Sequence, residues 1–469
     1  MKKKLCLLGI LISLSSMQAQ TPCSGGMAGS YPCSGYDMQA KFFPGQMGAS
    51  EANDSWGWTD PDDGTEYALI GLDNGTAFFD LTDPVNPIYL GKLPTHSSPS
   101  IWRDVKVYNN YAFIVSEANS HGMQVFDLTR LRSVASPPET FTEDAYYGGF
   151  GHCHNIAINE DTGYAYAIGT STFNGGPHFI DISDPLNPVA DGGYSGSNYS
   201  HDAQIITYDG PDTDYIGHEI FFGSNEDQVV IVDVTNKANP QLIKSITYGN
   251  VAYTHQGWLT EDRHYFLVGD ELDESDFGFN TRTLVFDVSD LDNASFYFDY
   301  YGNIASIDHN GYVVGDKYFL ANYSGGIRII DIADIANQNM SEIGYFDTYP
   351  SNNNANFGGV WNVYPFFESG NIVISGGGGF TLVKESSLSV TDPTMDVFAI
   401  NPNPAHTHID VQSKNQQISH ITICNLLGEV ILDREITPSF SKTIDISTYH
   451  SGMYLVTING NTTQRLVVN

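Results

Sequence analysis

Val229–Pro240 reads VVIVDVTNKANP: four apolar residues, an aspartate, then a polar turn ending in Asn-Pro. A run of four β-branched residues stopped by turn-forming residues predicts a short strand buried on both faces. The same pattern returns as AFFDLTDPVNP from Ala77, MQVFDLT from Met123, HFIDISDPLNP from His178, TLVFDVSD from Thr283 and IRIIDIAD from Ile327. Its aspartates are Asp80, Asp127, Asp181, Asp233, Asp287 and Asp331, and GGFTLVKES is a degenerate seventh copy with Lys384 in the Asp position. Repetition at about fifty residues is the mark of a modular fold. Each unit carries four strand signals, as in HNIAI, YAYAIG, HFIDIS and PVADGGY of the third, and helical periodicity is nearly absent. Four short strands per unit predict the blade of a β-propeller, in which radial repetition protects sheet edges. The fold expected is all-β: a seven-bladed β-propeller followed by a small β-sandwich.

The seventh unit supplies VWNVYPF, NIVISG and FTLVKES but no fourth strand before SSLSVTDPT, whereas MQAKFFPGQ near the N-terminus is a strand without a unit. The N-terminal strand, about residues 38–46, is therefore expected to complete the last blade. An eighth blade stays open if residues 23–44 hold more structure.

The 469 residues carry 20 Lys plus Arg against 55 Asp plus Glu, a formal net charge of −35. Such a polyanion is repelled by phosphate backbones, so nucleic acid is excluded as a partner. Met1–Gln20 has three lysines, a short apolar run and small polar residues, the layout of a secretory signal peptide. No later window is long and apolar enough to span a bilayer, so no transmembrane segment is expected in the mature chain. The domain expectation is a signal peptide at 1–20, the propeller at 21–390 and a C-terminal domain at 395–469. Cys23 and Cys33, ten residues apart in a Gly/Pro-rich stretch, are expected to form a disulfide in an oxidising compartment.

A propeller sets the first strand of each blade against the central axis. Aligning the units there gives a column of Trp56, Arg103, His154, His201, His255, His309 and Trp361, followed by Gly57, Asp104, Asn155, Asp202, Gln256, Asn310 and Asn362. These define the expected channel mouth, with Trp56, Arg103, Asp104, His154, His201, Asp202, His255, His309 and Trp361 as ligand-pocket candidates. Three readings of the histidines stand open. They cap their blades by bonding a buried aspartate, for which the third-strand aspartates are candidates, or a backbone group, as buried polar groups require partners. They bind Zn, Cu or Fe through His154, His201, His255 and His309, since imidazole suits these metals. Or they line a pocket for an organic ligand. Arg103 and Asp104 either clamp an anion or pair with each other or with His154. Trp56 and Trp361 stack on a sugar or plug the channel.

Cys153 in GHCHN should point away from His154 as a buried thiol, because side chains alternate along a strand. The acidic loops Asp60–Glu66, Asp209–Asp214 and Gly269–Asp276 are oxygen-rich candidates for Ca, although a solvated acidic turn accounts for each. Catalytic residues are not legible: no nucleophile elbow, zincin helix or phosphate loop occurs.

The segments AGSYPCSGYD, SIWRDVKVYNNYAFIVSE, HGMQVFDLTRLR, THQGWLTEDRHYFLVGDELDE and DHNGYVVGDKYFLANYSGGIRIIDIADI resemble the LVIVD-repeat proteins of the choice-of-anchor B family, over roughly Cys23 to Lys384. The resemblance implies an exported repeat domain and no particular chemistry. MDVFAINPNPAHTHIDV, ITICNLLGEVILDREI, TIDISTYHSGMYLVTING and TQRLVVN resemble the type A sorting domain of the Bacteroidota type IX secretion system, although the last residue is Asn469 and not basic. That implies Sec export, then type IX secretion, with the secretion machinery as a partner and an extracellular or outer-membrane-surface location. Together these give a surface or secreted binding module for a protein, glycan or small ligand. The alternatives are a metal-dependent enzyme, oxidative or hydrolytic, built on the axial histidines, and a structural surface protein.

Overall fold

The computed structural model describes residues 20–386, 398–413, 417–460 and 462–469. The signal-peptide reading, apart from Gln20, and the linker 387–397 lie outside them. The chain divides into two compact units, 1–386 and 387–469.

Among the described residues of the first unit, seven sheets each have four core antiparallel strands from innermost to outermost, in chain order except that the seventh takes its outermost strand from the N-terminal segment. The fourth blade is typical: Asp202–Thr207, Glu219–Ser224, Val229–Asp233 and Gln241–Ile246. The innermost strands are Ala52–Thr59, Arg103–Tyr108, Asn155–Asn159, Asp202–Thr207, Thr254–Leu259, Gly311–Val314 and Val360–Tyr364. Each contacts the next, and the seventh contacts the first, so the ring is closed. It is a seven-bladed β-propeller.

The fully apolar VVIV run follows from this stacking. Val229 and Ile231 face the fifth blade, among Phe266, Val268, Leu284 and Phe286. Val230 and Val232 face the third, against Ala157, Tyr166, Ile168 and Phe179. Both faces are core, so alternation with polar residues is lost. Burial of each such side chain contributes about 1.5–3 kcal/mol.

The aspartate that ends the run has a local task. Asp80, Asp127, Asp181, Asp233, Asp287 and Asp331 each accept a hydrogen bond from the backbone N–H two residues ahead, at 2.7–3.0 Å. This Asx turn starts the reversal into the outermost strand. Only the aspartate form of the blade-capping reading is corrected: these carboxylates serve their own turns, while His201 and His309 bond backbone carbonyls, the other partner that reading allowed.

The ring closes as the strand count requires, with adjusted bounds. Tyr36–Phe42 pairs antiparallel with Gly379–Glu385 of the seventh blade, from Tyr36 opposite Glu385 to Phe42 opposite Phe380. The strand ends before 46 because Pro44 opens a 3₁₀ turn over Pro44–Met47. Upstream, Tyr31–Ser34 adds to the outer edge of the sixth blade, with Cys33 opposite Phe346. Residues 23–44 thus extend existing sheets and make no eighth blade. Cys23 and Cys33 form a disulfide.

The second unit has a three-stranded sheet of Phe398–Asn401, His408–Ser413 and Ser441–Asp445, and a four-stranded sheet ordered Val430–Ser439, Ile418–Asn425, Gly452–Ile458 and Thr462–Val468. Ile409, Val411, Ile421, Ile423, Val456 and Leu466 fill its own core. Among the described residues, no helix is long and apolar enough to cross a membrane.

Candidate functional site

Side chains of the innermost strands form three layers along the axis, a polar ring with one layer toward the strand starts and one toward the strand ends. The deepest is a polar ring: Asp54, Asp104, Asn155, Asp202, Gln256, Asn310 and Asn362. Asn362 donates to Asp54, Asn310 Nδ2 donates to Asn362 Oδ1 at 3.3 Å, and Lys106 Nζ donates to Asp104 Oδ1 at 2.6 Å. Asp104 Oδ2 also accepts from the Ile156 N–H at 2.8 Å. Burial, together with the neighbouring Asp104, lifts the Asp54 carboxyl well above its usual range; burial lifts Asp202 to about 7.

The first blade corrects the sequence alignment by three residues. Regular pairing from Ser55 opposite Ile70 to Thr59 opposite Glu66 sets Trp56 level with Lys106, so Asp54 and not Gly57 takes the polar position. Trp56 accordingly leaves the histidine column and stands two positions further along the strand, in the aromatic layer. Lys106 Nζ lies 4.6 Å from its ring centroid.

At the strand starts, four imidazoles and an indole form a continuous row. Ring centroids are 4.2 Å apart from His154 to His201, 4.3 Å to His255, 4.2 Å to His309 and 4.8 Å to Trp361. The row borders a cavity of about 470 Å³, with Trp102, Glu271, Tyr323 and Phe357. His201 Nδ1–H donates to the His255 carbonyl at 3.0 Å and His309 Nδ1–H to the Trp361 carbonyl at 2.6 Å. A carbonyl only accepts, so both rings carry the proton on Nδ1 and leave Nε2 with a lone pair. His154 Nδ1 pairs with Glu117 Oε1 at 2.6 Å. Burial lowers His309 to about 3 and His201 and His255 well below the imidazole range, which keeps these rings neutral.

Glu271 was not singled out by the sequence reading. It leaves the end of the Tyr265–Asp270 strand, and its carboxylate lies 3.8 Å from His255 Nε2 and 3.7 Å from His309 Nε2. Tyr323 O–H donates to it at 2.8 Å. Burial pushes its carboxyl up to about 7. The available signal was its place in GDELDESD, read as an acidic loop.

Arg103 and Asp104 neither clamp an anion at this mouth nor pair with each other. Arg103 turns back into the propeller wall, where Nε donates to the Leu72 carbonyl at 3.0 Å, Nη2 to Thr95 Oγ1 at 2.8 Å and Nη1 to His121 Nε2 at 2.9 Å. Burial, with Arg103 beside it, drives His121 down to about 3. An imidazole held neutral this way contributes stability above about pH 6.5, and that contribution drains as pH falls toward 3. Urea unfolding of wild type and His121→Gln across this range should give a stability difference that changes by up to about 1.4 kcal/mol per pH unit, wild type losing more in acid. A difference constant with pH refutes this assignment.

The remaining candidates resolve simply. Cys153 is a fully buried thiol facing the Asn155 and Ile168 carbonyls at 3.0 and 3.3 Å. In the acidic loops, Asp60 pairs with Arg132 at 2.5 and 2.6 Å, Asp209 with Arg263 at 3.0 Å and Asp273 with Arg282 at 2.6 Å.

The third layer lies toward the strand ends. Trp56, Lys106, Ala157, Gln204, Trp258, Tyr312 and Tyr364 each stand two residues beyond the polar ring, on the same strand face. With Phe366 they border a cavity of about 320 Å³ that also reaches Asp202 and Glu160. Phe366 lies 6.0 Å from Trp56, 6.0 Å from Trp258 and 5.6 Å from Tyr312, centroid to centroid.

Comparison with known proteins finds two domain-level matches. Residues 101–121 and 221–247 match the LVIVD repeat, and residues 399–469 match the secretion system C-terminal sorting domain. No curated protein matches. Among solved structures, PorZ, a bacterial surface component of the type-IX secretion system of Porphyromonas gingivalis, is similar at 11% identity and a TM-score of 0.48, covering 90% of this chain. This chain spans 59% of the length of PorZ. The β-propeller domain of Myceliophteria thermophila Cps50 (Swd1) is similar at 11% identity and a TM-score of 0.48, over 72% of this chain and 97% of that one. The chain thus carries LVIVD repeats within a seven-bladed β-propeller and ends in a secretion-system C-terminal sorting domain, which sends it to the cell surface or the extracellular space.

Proposed function

We propose that the protein is an exported binding module whose aromatic mouth holds a sugar ring of an extracellular glycan. On this reading residues 1–20 are the export leader, 21–390 the binding propeller and 395–469 the sorting domain handled by the secretion machinery. The carrying observation is the third layer: partly exposed Trp56, Trp258 and Phe366 beside the hydrogen-bonding groups of Lys106, Gln204 and Asp202. Flat apolar ring faces match the C–H faces of a pyranose, and the polar groups at their edge match its hydroxyls. A cavity of about 320 Å³ suits one or two sugar units.

Screening the intact protein on a glycan array, then measuring hits by calorimetry, tests this. Trp258→Ala should weaken the leading glycan at least tenfold, about 1.4 kcal/mol, with the melting temperature retained. Absence of any glycan hit, or unchanged affinity in Trp258→Ala, rejects the proposal and leaves a structural surface role.

A further inference from the structure

At the opposite mouth, the geometry points to a binding site for one divalent first-row transition-metal ion, held by His255, Glu271 and His309. This goes beyond the glycan reading and is independent of it, because the two mouths share no lining residue.

The argument starts from acceptors that face each other. The His309 proton is committed to the Trp361 carbonyl, so its Nε2 offers a lone pair toward Glu271 Oε1, itself an acceptor, across 3.7 Å. His255 Nε2 meets the other carboxylate oxygen at 3.8 Å, and its buried Nδ1 has no hydrogen-bond partner among the described residues. Both separations exceed hydrogen-bond length. One ligand atom from each of the three residues lies within 4.8 Å of the others. A tetrahedral ion with bonds of about 2.0–2.1 Å holds its ligand atoms about 3.3 Å apart, so a small inward movement closes the set. Two imidazoles and one carboxylate are a donor set for zinc or ferrous iron, and exclude calcium and magnesium as the preferred ions.

The surroundings supply what such ligands need. A ligating imidazole is oriented by donating its other N–H, which His309 does to Trp361; a ligating carboxylate is itself hydrogen-bonded, which Tyr323 does for Glu271. Three protein ligands leave a coordination position open toward the cavity of about 470 Å³. His154 and His201 continue the row away from Glu271. They are neighbours of the site and outside its ligand set, which revises the four-histidine set to two histidines and a glutamate.

The test is titration of Zn²⁺ and Co²⁺ into the metal-stripped, intact protein, read by elemental analysis after gel filtration and by the visible bands of bound Co²⁺. One equivalent is expected. His309→Ala and Glu271→Gln should each weaken binding by roughly a hundredfold or more, whereas His154→Ala should retain the ion and its spectrum. Near-wild-type melting of Glu271→Gln guards against simple unfolding. No stoichiometric uptake by the wild type, or equal loss in His154→Ala, overturns the site. Trp258→Ala should load metal normally, so failure here and failure of the glycan reading are separate results.

Discussion

Removing residues 20–43 should abolish the cooperative unfolding of the propeller or lower its melting temperature by more than about 10 °C. Tyr36–Phe42 is the outermost strand of the seventh blade, and its loss strips the edge of Gly379–Glu385 and uncovers Phe380 and Leu382, both fully buried. Tyr36 and Ala40 leave the core with it. The same segment lies along the sixth blade through Cys33 and Ser34, and Asp37 accepts from the Cys23 N–H at 2.7 Å and from Ser386 Oγ at 2.6 Å. Deletion therefore cuts two adjacent blades and leaves an unpaired, largely apolar edge, which also favours aggregation. Replacing both cysteines by serine is the graded control: a closed loop of ten residues contributes about 2–3 kcal/mol, enough to shift the melt but not to erase it. Calorimetry of the three proteins decides, and a truncated chain that melts with the wild type refutes the closure role.

The second large effect is expected from Arg282→Met, at about 3–5 kcal/mol. Arg282 is among the largest fully buried side chains; its guanidinium donates to Asp273 Oδ2 at 2.6 Å and to the Gly249 and Asn250 carbonyls at 3.1 and 2.9 Å, with Asp270 3.8 Å away. Methionine keeps some of the volume but leaves the buried Asp273 carboxylate and two carbonyls without this donor, and Asp270 without its neighbouring cation. Arg282 also ties down the segment that carries Glu271, so it acts as a positioning residue for the histidine mouth. Urea unfolding of Arg282→Met and of Arg282→Met/Asp273→Asn should show the double variant partly restored, because the second change removes the stranded charge. A single variant as stable as wild type refutes this account.

The sequence disclosed what repetition imposes. Seven blades follow from the recurrent VIVD-type strand, because a run apolar on both faces has no stable place outside a stack of sheets. Histidines 154, 201, 255 and 309 were legible as one row because the same place in successive units means the same height on the axis. Three things were not. The pairing of the first blade's inner strand leaves no compositional mark, so Trp56, level with Lys106, was placed three residues away from its true level. Arg103 shares the histidine column, yet a long side chain at a strand start reaches back into its own wall, and no spacing rule records that choice. Glu271 comes from a loop after a second strand, and its nearness to His255 and His309 arises only when neighbouring blades are set at their angle.

Closure by the N-terminal strand also governs the order of assembly. Lys41 Nζ reaches Thr381 Oγ1 across 340 residues. The earliest stretch of the propeller to emerge thus finds its partner only after the strand Gly379–Glu385, the last of the propeller's strands, has been made. Contacts of such separation are slow to form. Until that final pairing, the nascent ring is an open arc with an adhesive edge at either end, and the interval before it shuts is when the protein is most exposed to neighbours of its own kind.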